Sequence, residues 1–86
     1  MATLAVTLSA GATSANVTTT PNTVASVNAS QPCEVQARNN QTGGPSWATL
    51  AHLPNTTDNS VSFIAPSDVI RVVNLSAESN RIEVFA

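Results

Sequence analysis

The chain contains no lysine and no tyrosine, and its single cysteine and single histidine are Cys33 and His52. Only eight of its 86 residues carry a formal charge, and the three cations are Arg38, Arg71 and Arg81. Nucleic-acid-binding proteins neutralise phosphates with clustered lysine and arginine, and anionic membranes attract similar clusters. We therefore expect neither nucleic acid nor a membrane among the partners of this protein.

The lone cysteine allows no disulfide within the chain and no thiolate metal cluster. The five acidic residues stand singly in the sequence, and none has the spacing of a known metal-binding loop. Gly43-Gly44-Pro45 lacks the lysine and the following helix of a phosphate-binding loop. We expect no metal and no cofactor.

Catalytic groups are equally scarce. His52 can be combined on paper with Asp58 or Asp68 and one of ten serines, but no Gly-x-Ser-x-Gly motif activates a serine. We expect no catalytic residues, and we interpret the chain as a protein other than an enzyme.

Small neutral polar residues are abundant, with ten serines, eleven threonines and nine asparagines. Apolar residues make up 42% of the chain, which is close to the globular average and favours a folded protein. The length predicts one domain over residues 1–86 with a modest core, and oligomerisation is a common remedy for a small core.

Apolar residues recur mostly at every second position, which is typical of half-buried strands. Cys33, Val35 and Ala37 form the clearest example. The stretch 68–75 is apolar on both faces apart from Arg71 and Asn74, as in a central strand. Turn signals separate the strands, including a long loop at 39–45 and a hairpin turn at 77–80. The pattern predicts an all-β fold, a small antiparallel β-sandwich of about seven short strands, immunoglobulin-like or jelly-roll-like.

Residues 9–22 are small, uncharged and low in complexity. They are interpreted as a flexible arm or an edge strand, and we favour an edge strand through Val17–Thr20 in an assembled state. Residues 1–10 lack the preceding basic residues of a signal peptide, and threonines interrupt the apolar stretch. We expect synthesis in a cytoplasm without a cleaved signal.

Two single residues have competing interpretations. Alternation places Cys33 on the inward face of its strand, where a free cysteine packs as a small hydrophobe, and the competing interpretation is a reactive thiol. Trp47 follows a Gly-Pro loop, and it either bridges two sheets in the core or lies exposed as an interface anchor or sugar-stacking platform.

The order Cys33 then Trp47 resembles that of immunoglobulin-like sandwiches, although the second cysteine and the tyrosine corner are missing. The chain as a whole resembles small decoration (cement) proteins of tailed-phage capsids. The resemblance lies in the Ala-, Thr-, Ser- and Asn-rich β pattern, the uncharged N-terminal segment and an apolar hairpin of 69–75 with 82–85. It implies a homo-oligomer, commonly a trimer, on the outer surface of a virion capsid, with the major capsid protein as partner.

The resulting hypothesis is a virion structural protein that stabilises a shell by bridging capsid subunits. The predicted contact residues are Leu4, Val6, Leu8, Val17 and Trp47. A tail, fibre or pilus-type subunit would differ by open-ended assembly. A glycan-binding β-sandwich module would depend on Trp47.

Overall fold

The computed structural model describes residues 2–39 and 46–86, so the predicted loop at 39–45 lies almost wholly outside the described residues. Eight strands make up its regular structure: β1 (Leu4–Leu8), β2 (Val17–Thr18), β3 (Val24–Ala29), β4 (Cys33–Asn39), β5 (Ser46–Leu53), β6 (Asn59–Ile64), β7 (Val69–Asn74) and β8 (Asn80–Phe85). The all-β prediction is confirmed. No bilayer-spanning helix is found in this part of the chain.

The strands form two antiparallel sheets of four. Sheet A has the order β1-β8-β3-β6, and sheet B has the order β2-β7-β4-β5. Each strand pairs with its mirror in chain order: first with last, second with seventh, third with sixth, fourth with fifth. A long antiparallel ribbon rolled into two sheets gives this order, which is that of a jelly roll. The predicted β-sandwich is confirmed, and the two-residue β2 brings the strand number to eight.

The core lies between the sheets and is built by alternation. Cys33, Val35 and Ala37 of β4 point into it, as their spacing predicts. In β7, Ile70 and Val72 are fully buried. That strand lies between β2 and β4, which explains its apolar character.

The predicted hairpin at 77–80 is wrong. β7 belongs to sheet B and β8 to sheet A, so residues 75–79 cross from one sheet to the other. Two alternating segments joined by a short polar turn look the same in sequence whether they pair directly or pack face to face. The alternation identifies strands, and it does not say which sheet each strand joins.

The segment 9–22 lies along β7 of its own chain. Val17 and Thr18 pair with Ile70 and Val69. Nearer the start of the segment, the amide of Ser14 donates to the Val72 carbonyl (2.8 Å), and the Val72 amide donates to the Ser14 hydroxyl (2.9 Å). The serine side chain thus replaces a backbone carbonyl where the edge strand is interrupted, and the contact with β7 continues beyond the two residues of β2.

Buried asparagine side chains tie together the loops at one end of the sandwich. Asn80 is fully buried, and its Oδ1 accepts from the amides of Ser30 (3.1 Å) and Gln31 (3.0 Å). Its Nδ2 donates to the Gln31 carbonyl (2.9 Å), to the Pro32 carbonyl (3.2 Å) and to Asn74 Oδ1 (3.2 Å). This one side chain therefore pairs the polar backbone groups of the β3–β4 crossing.

Two more amides complete the arrangement. Asn74 donates to the carbonyls of Ser9 and Glu78, both at 2.9 Å, and so joins the β1–β2 and β7–β8 connections. Asn59 donates to the carbonyls of Asn55 (2.6 Å) and Gln31 (3.2 Å) and accepts from the Asn55 amide (3.0 Å). All four crossings at this end are held by three neutral side chains.

Replacing Asn80 with aspartate tests this arrangement. Asn80→Asp keeps the acceptor but removes the donors, and it sets a carboxylate against three acceptor oxygens. We expect a loss of about 3–5 kcal/mol in the free energy of unfolding at neutral pH, because an unpaired buried charge is costly. Burial raises the pKa of the new carboxyl in the folded state, so the loss should be smaller below the unfolded pKa of about 3.9 and grow as the pH rises.

Urea unfolding of wild type and variant at neutral pH and at about pH 3 measures the difference. Asn16→Asp is the matched control, since Asn16 is exposed. An equal, small effect of both substitutions at both pH values would contradict the structural role of Asn80.

Candidate functional site

Trp47 lies on the outer face of sheet B and not in the core. It is opposite Arg38 in the β4–β5 register, and Arg38 alternates with the inward-facing Ala37. Between Val35 and Gln36 the register shifts, which leaves Leu50 of β5 without a partner. This bulge reverses the alternation along β5 and turns Trp47 outward. The core interpretation of Trp47 is therefore wrong.

Trp47 is half-buried because neighbouring side chains cover it. The guanidinium carbon of Arg71 lies 4.0 Å from the centroid of its ring, which is cation–π geometry. Arg71 Nε also donates to Gln36 Oε1 at 2.7 Å. Arg71 thus spans from β7 across β4 to β5, and it fixes the tryptophan against the sheet.

The polar groups beside Trp47 form one continuous network. Gln36 Nε2 donates to Glu34 Oε2 (3.2 Å), and the Thr49 hydroxyl donates to Glu34 Oε1. Separately, Arg38 forms an ion pair with Asp68 at 3.4 Å. Both carboxylate oxygens of Glu34 are engaged within the protein. The surface combines an aromatic ring with polar groups that already satisfy one another.

The outer face of sheet A has the opposite character. Val24 and Ile64 are cross-strand neighbours on β3 and β6, and their exposed fractions are 67% and 57%. The residues in phase with them on the same two strands are polar and uncharged: Ser26, Asn28, Ser60 and Ser62. The charged residues of this outer face, Arg81 and Glu83, lie on β8. An exposed apolar pair among uncharged residues of its own two strands is a candidate contact site.

Sequence reasoning missed this pair, although the signal was present. Val24 is in phase with Ser26 and Asn28, and Ile64 is in phase with Ser60 and Ser62. Each is therefore the one large apolar residue on the polar side of its strand. Period-two alternation alone would have marked both as outward-facing.

The two sheets also differ at their edges. In sheet B, β2 is only two residues long, and β5 carries a bulge. Both features hinder pairing with another strand. In sheet A, β1 (Leu-Ala-Val-Thr-Leu) and β6 (Asn-Ser-Val-Ser-Phe-Ile) contain no charge and no proline, and their registers run without a shift. Sheet A therefore has two unguarded edges.

The core is incompletely covered along the lateral edges of both sheets. The partly buried hydrophobic residues that pack against it lie on β1, β5, β6 and the 9–16 connection: Leu4, Val6, Ala12, Leu50, Ala51, Val61 and Phe63. None of these partly buried hydrophobic residues lies on the central strands β3, β4, β7 and β8. Apolar surface at the lateral edges is thus available to a partner.

The predicted contact residues fall into three groups. Leu8 and Val17 are buried in the chain's own core, with exposed fractions of 6% and 3%, so neither side chain offers exposed apolar surface for an outside partner to cover. Alternation makes both inward-facing, and the opposite sheet covers them. Leu4 and Val6 are half-buried on the β1 edge, and Trp47 is half-buried on the other sheet. The structure does not bring Trp47 together with the β1 residues.

The groups considered for catalysis are also apart. His52 is exposed on the outer face of sheet B beside Glu34, whereas Asp68 is paired with Arg38. Asp58 lines a shallow cleft of about 370 Å³ beside Arg81 and Glu83, on the sheet A side. Among residues 2–39 and 46–86, no group of three potential metal ligands comes together.

Cys33 is fully buried, as its strand position predicts. Burial away from water raises the pKa of its thiol from 9.0 to about 11. A thiol with a raised pKa is a poor nucleophile at neutral pH. The residue therefore serves packing between the sheets.

Comparison with protein-family models, with curated proteins and with solved structures gave no match. The jelly-roll description thus rests on the strand order, and the candidate site rests on the geometry of the chain.

The buried thiol gives a pH-dependent stability. Because the thiolate is disfavoured only in the folded state, the contribution of Cys33 is intact below pH 9.0 and is lost as the pH rises towards 11. Complete ionisation corresponds to roughly 2–3 kcal/mol. Urea unfolding below and above pH 9.0 should show a larger alkaline loss for wild type than for Cys33→Ala.

A thiol reagent provides the second measurement. Native protein should react far more slowly than urea-unfolded protein. Rapid reaction of the native thiol at neutral pH, or identical alkaline losses in the two proteins, would show that Cys33 is accessible.

Proposed function

We propose that this chain is a non-enzymatic structural subunit of a virion, a capsid decoration protein that binds the outer surface of a shell and bridges major capsid subunits. The observation that carries the proposal is the exposed Val24–Ile64 pair on the outer face of sheet A, where its neighbours on β3 and β6 are uncharged. Jelly rolls include viral capsid domains, but they also include lectin domains and cupins, so the fold supports this by analogy alone.

The mechanism follows from hydrophobic burial. Fully covering an exposed valine or isoleucine side chain contributes about 1.5–3 kcal/mol. The neighbouring serines and Asn28 carry no charge, so little desolvation cost opposes the contact. Many copies on one shell add these small contributions together and raise the force or temperature at which the shell opens. Such a contact should depend weakly on salt, because no ion pair is required.

Ile64→Lys tests the contact face. A lysine at the centre of an apolar contact must be desolvated, so the affinity for the shell should fall at least about tenfold. The measurement is co-sedimentation of the purified protein with shells from the source virus, with the copy number per shell determined by densitometry.

Ser60→Lys is the matched control, because it adds the same charge to the same face of β6 without removing an apolar side chain. It should bind nearly as wild type does. Failure of the wild-type protein to bind any shell, or equal binding by the Ile64→Lys variant, would refute the proposal.

A glycan-binding module is the second candidate, and the outward position of Trp47 favours it. One ring face packs against Arg71, and hydrogen-bonding groups of Gln36, Glu34 and Thr49 lie alongside. An aromatic ring beside polar side chains can position a sugar.

On a glycan array, Trp47→Ala should abolish a signal for one sugar class, whereas Trp47→Phe should retain part of it. His52→Ala, on the same outer face, controls for nonspecific changes in that face. No signal for the wild-type protein on any sugar would exclude this second function.

A further inference from the structure

β1 is an open edge with the properties of a strand that binds another strand. It ends sheet A, so alternate backbone amides and carbonyls point away from β8 without a partner in the sheet. Its five residues carry no charge, no proline and no bulge. The backbone groups specify an extended strand as the occupant, since only a strand satisfies them in series.

The side chains of β1 specify its occupant further. Leu4, Val6 and Leu8 face the core, and Leu4 and Val6 remain half-buried there. Ala5 and Thr7 face outward and are exposed. A matching strand must place apolar residues beside the first set and small residues beside the second, because a one-residue slip exchanges the two faces.

β1 itself meets this requirement. In an antiparallel pairing about a two-fold axis at Val6, Leu4 lies opposite Leu8 of the second copy, and Val6 lies opposite Val6. Ala5 then lies opposite Thr7, so all five residues pair and both faces match. We propose that two copies of this chain associate through β1, which joins their sheets A into one continuous eight-stranded sheet.

The other open edge is a poorer match to itself. The inward face of β6 includes Asn59, whose amide is already bound to the Asn55 and Gln31 carbonyls. In an antiparallel pairing about a two-fold axis at Ser62, Asn59 has no partner on the second β6. The exposed Ile64 then lies opposite the polar Ser60. β1 is therefore the self-complementary edge, and β6 with Ile64 remains free for a different partner.

The β1 pairing names the contact through which copies of the chain associate. Its role in a shell rests on the proposed function. The interface is one strand wide, so we expect a weak dimer that forms with rising concentration. A two-fold contact differs from the trimer that the resemblance implies, which would need unlike edges such as β1 against β6.

Charge substitutions at the outward positions of β1 test the register. In Ala5→Lys/Thr7→Lys, each introduced lysine lies opposite a lysine of the second copy, twice per dimer. In Ala5→Lys/Thr7→Glu and Ala5→Glu/Thr7→Lys, opposite charges meet instead. Within one chain, positions 5 and 7 neighbour Glu83 and Arg81, which favour the first opposite-charge variant and disfavour the second. Comparing both separates effects within the chain from effects between copies.

The measurement is sedimentation velocity over a concentration series at low ionic strength, with thermal melts to confirm that each variant is folded. Both opposite-charge variants should dimerise at least as well as wild type, and the like-charge variant should dissociate roughly tenfold or more readily. Ser62→Lys on β6 should leave the dimer unchanged.

Three results would overturn the pairing: a wild-type monomer at every concentration, equal dissociation of the three double variants, or a dimer or trimer abolished by Ser62→Lys. The function is tested separately on shells. A monomer that still binds shells refutes the pairing alone, and a β1 dimer that binds none refutes the function alone.

Discussion

The structure depends on neutral amides buried at one end of the sandwich. Rolling a ribbon of eight strands into two sheets forces the chain to cross repeatedly between them, and each crossing brings unpaired backbone groups close to the core. Many small β domains hold such crossings with disulfides, which a single cysteine cannot provide. Asn59, Asn74 and Asn80 satisfy the backbone groups instead, since an amide both donates and accepts and carries no charge to desolvate.

The buried amides close one end of this small core, but its lateral sides remain partly open. The half-buried hydrophobic residues lie on the lateral strands and on the 9–16 connection, with Leu4 and Val6 on β1 and Val61 and Phe63 on β6. Larger sandwiches protect such edges with charges or prolines, and neither β1 nor β6 contains one. The scarcity of charge therefore has a structural consequence, because association with another protein would complete the burial that the chain alone leaves unfinished.

Alternation in the sequence was sufficient to identify the strands, and Cys33, Val35 and Ala37 face the core as expected. It was insufficient where one inserted residue exchanges the inward and outward positions of a strand, and where a loop carries the chain from one sheet to the other. The bulge at Leu50 turned Trp47 outward, and the residue types of β5 do not indicate a bulge. In the sequence, Asn80 resembled a turn residue and Asn74 a polar exception in an apolar strand. Their role depends on Ser9, Gln31 and Glu78, which are distant in sequence or belong to other loops.

Removing water from the outer face costs more free energy on sheet B than on sheet A. This difference favours association with another protein through sheet A. On sheet B, Glu34, Gln36, Arg71 and Trp47 form a network in which most strong groups have partners. A partner that covers these groups must replace their hydrogen bonds to water without disturbing the hydrogen bonds among them. Only a partner with a matching pattern of polar groups does so. On sheet A, the Val24 and Ile64 side chains lose no hydrogen bond when water leaves, and the open backbone of β1 can exchange water for the groups of a partner strand. A protein surface can therefore cover sheet A with modest specificity, whereas covering sheet B requires a partner with a matching pattern of polar groups.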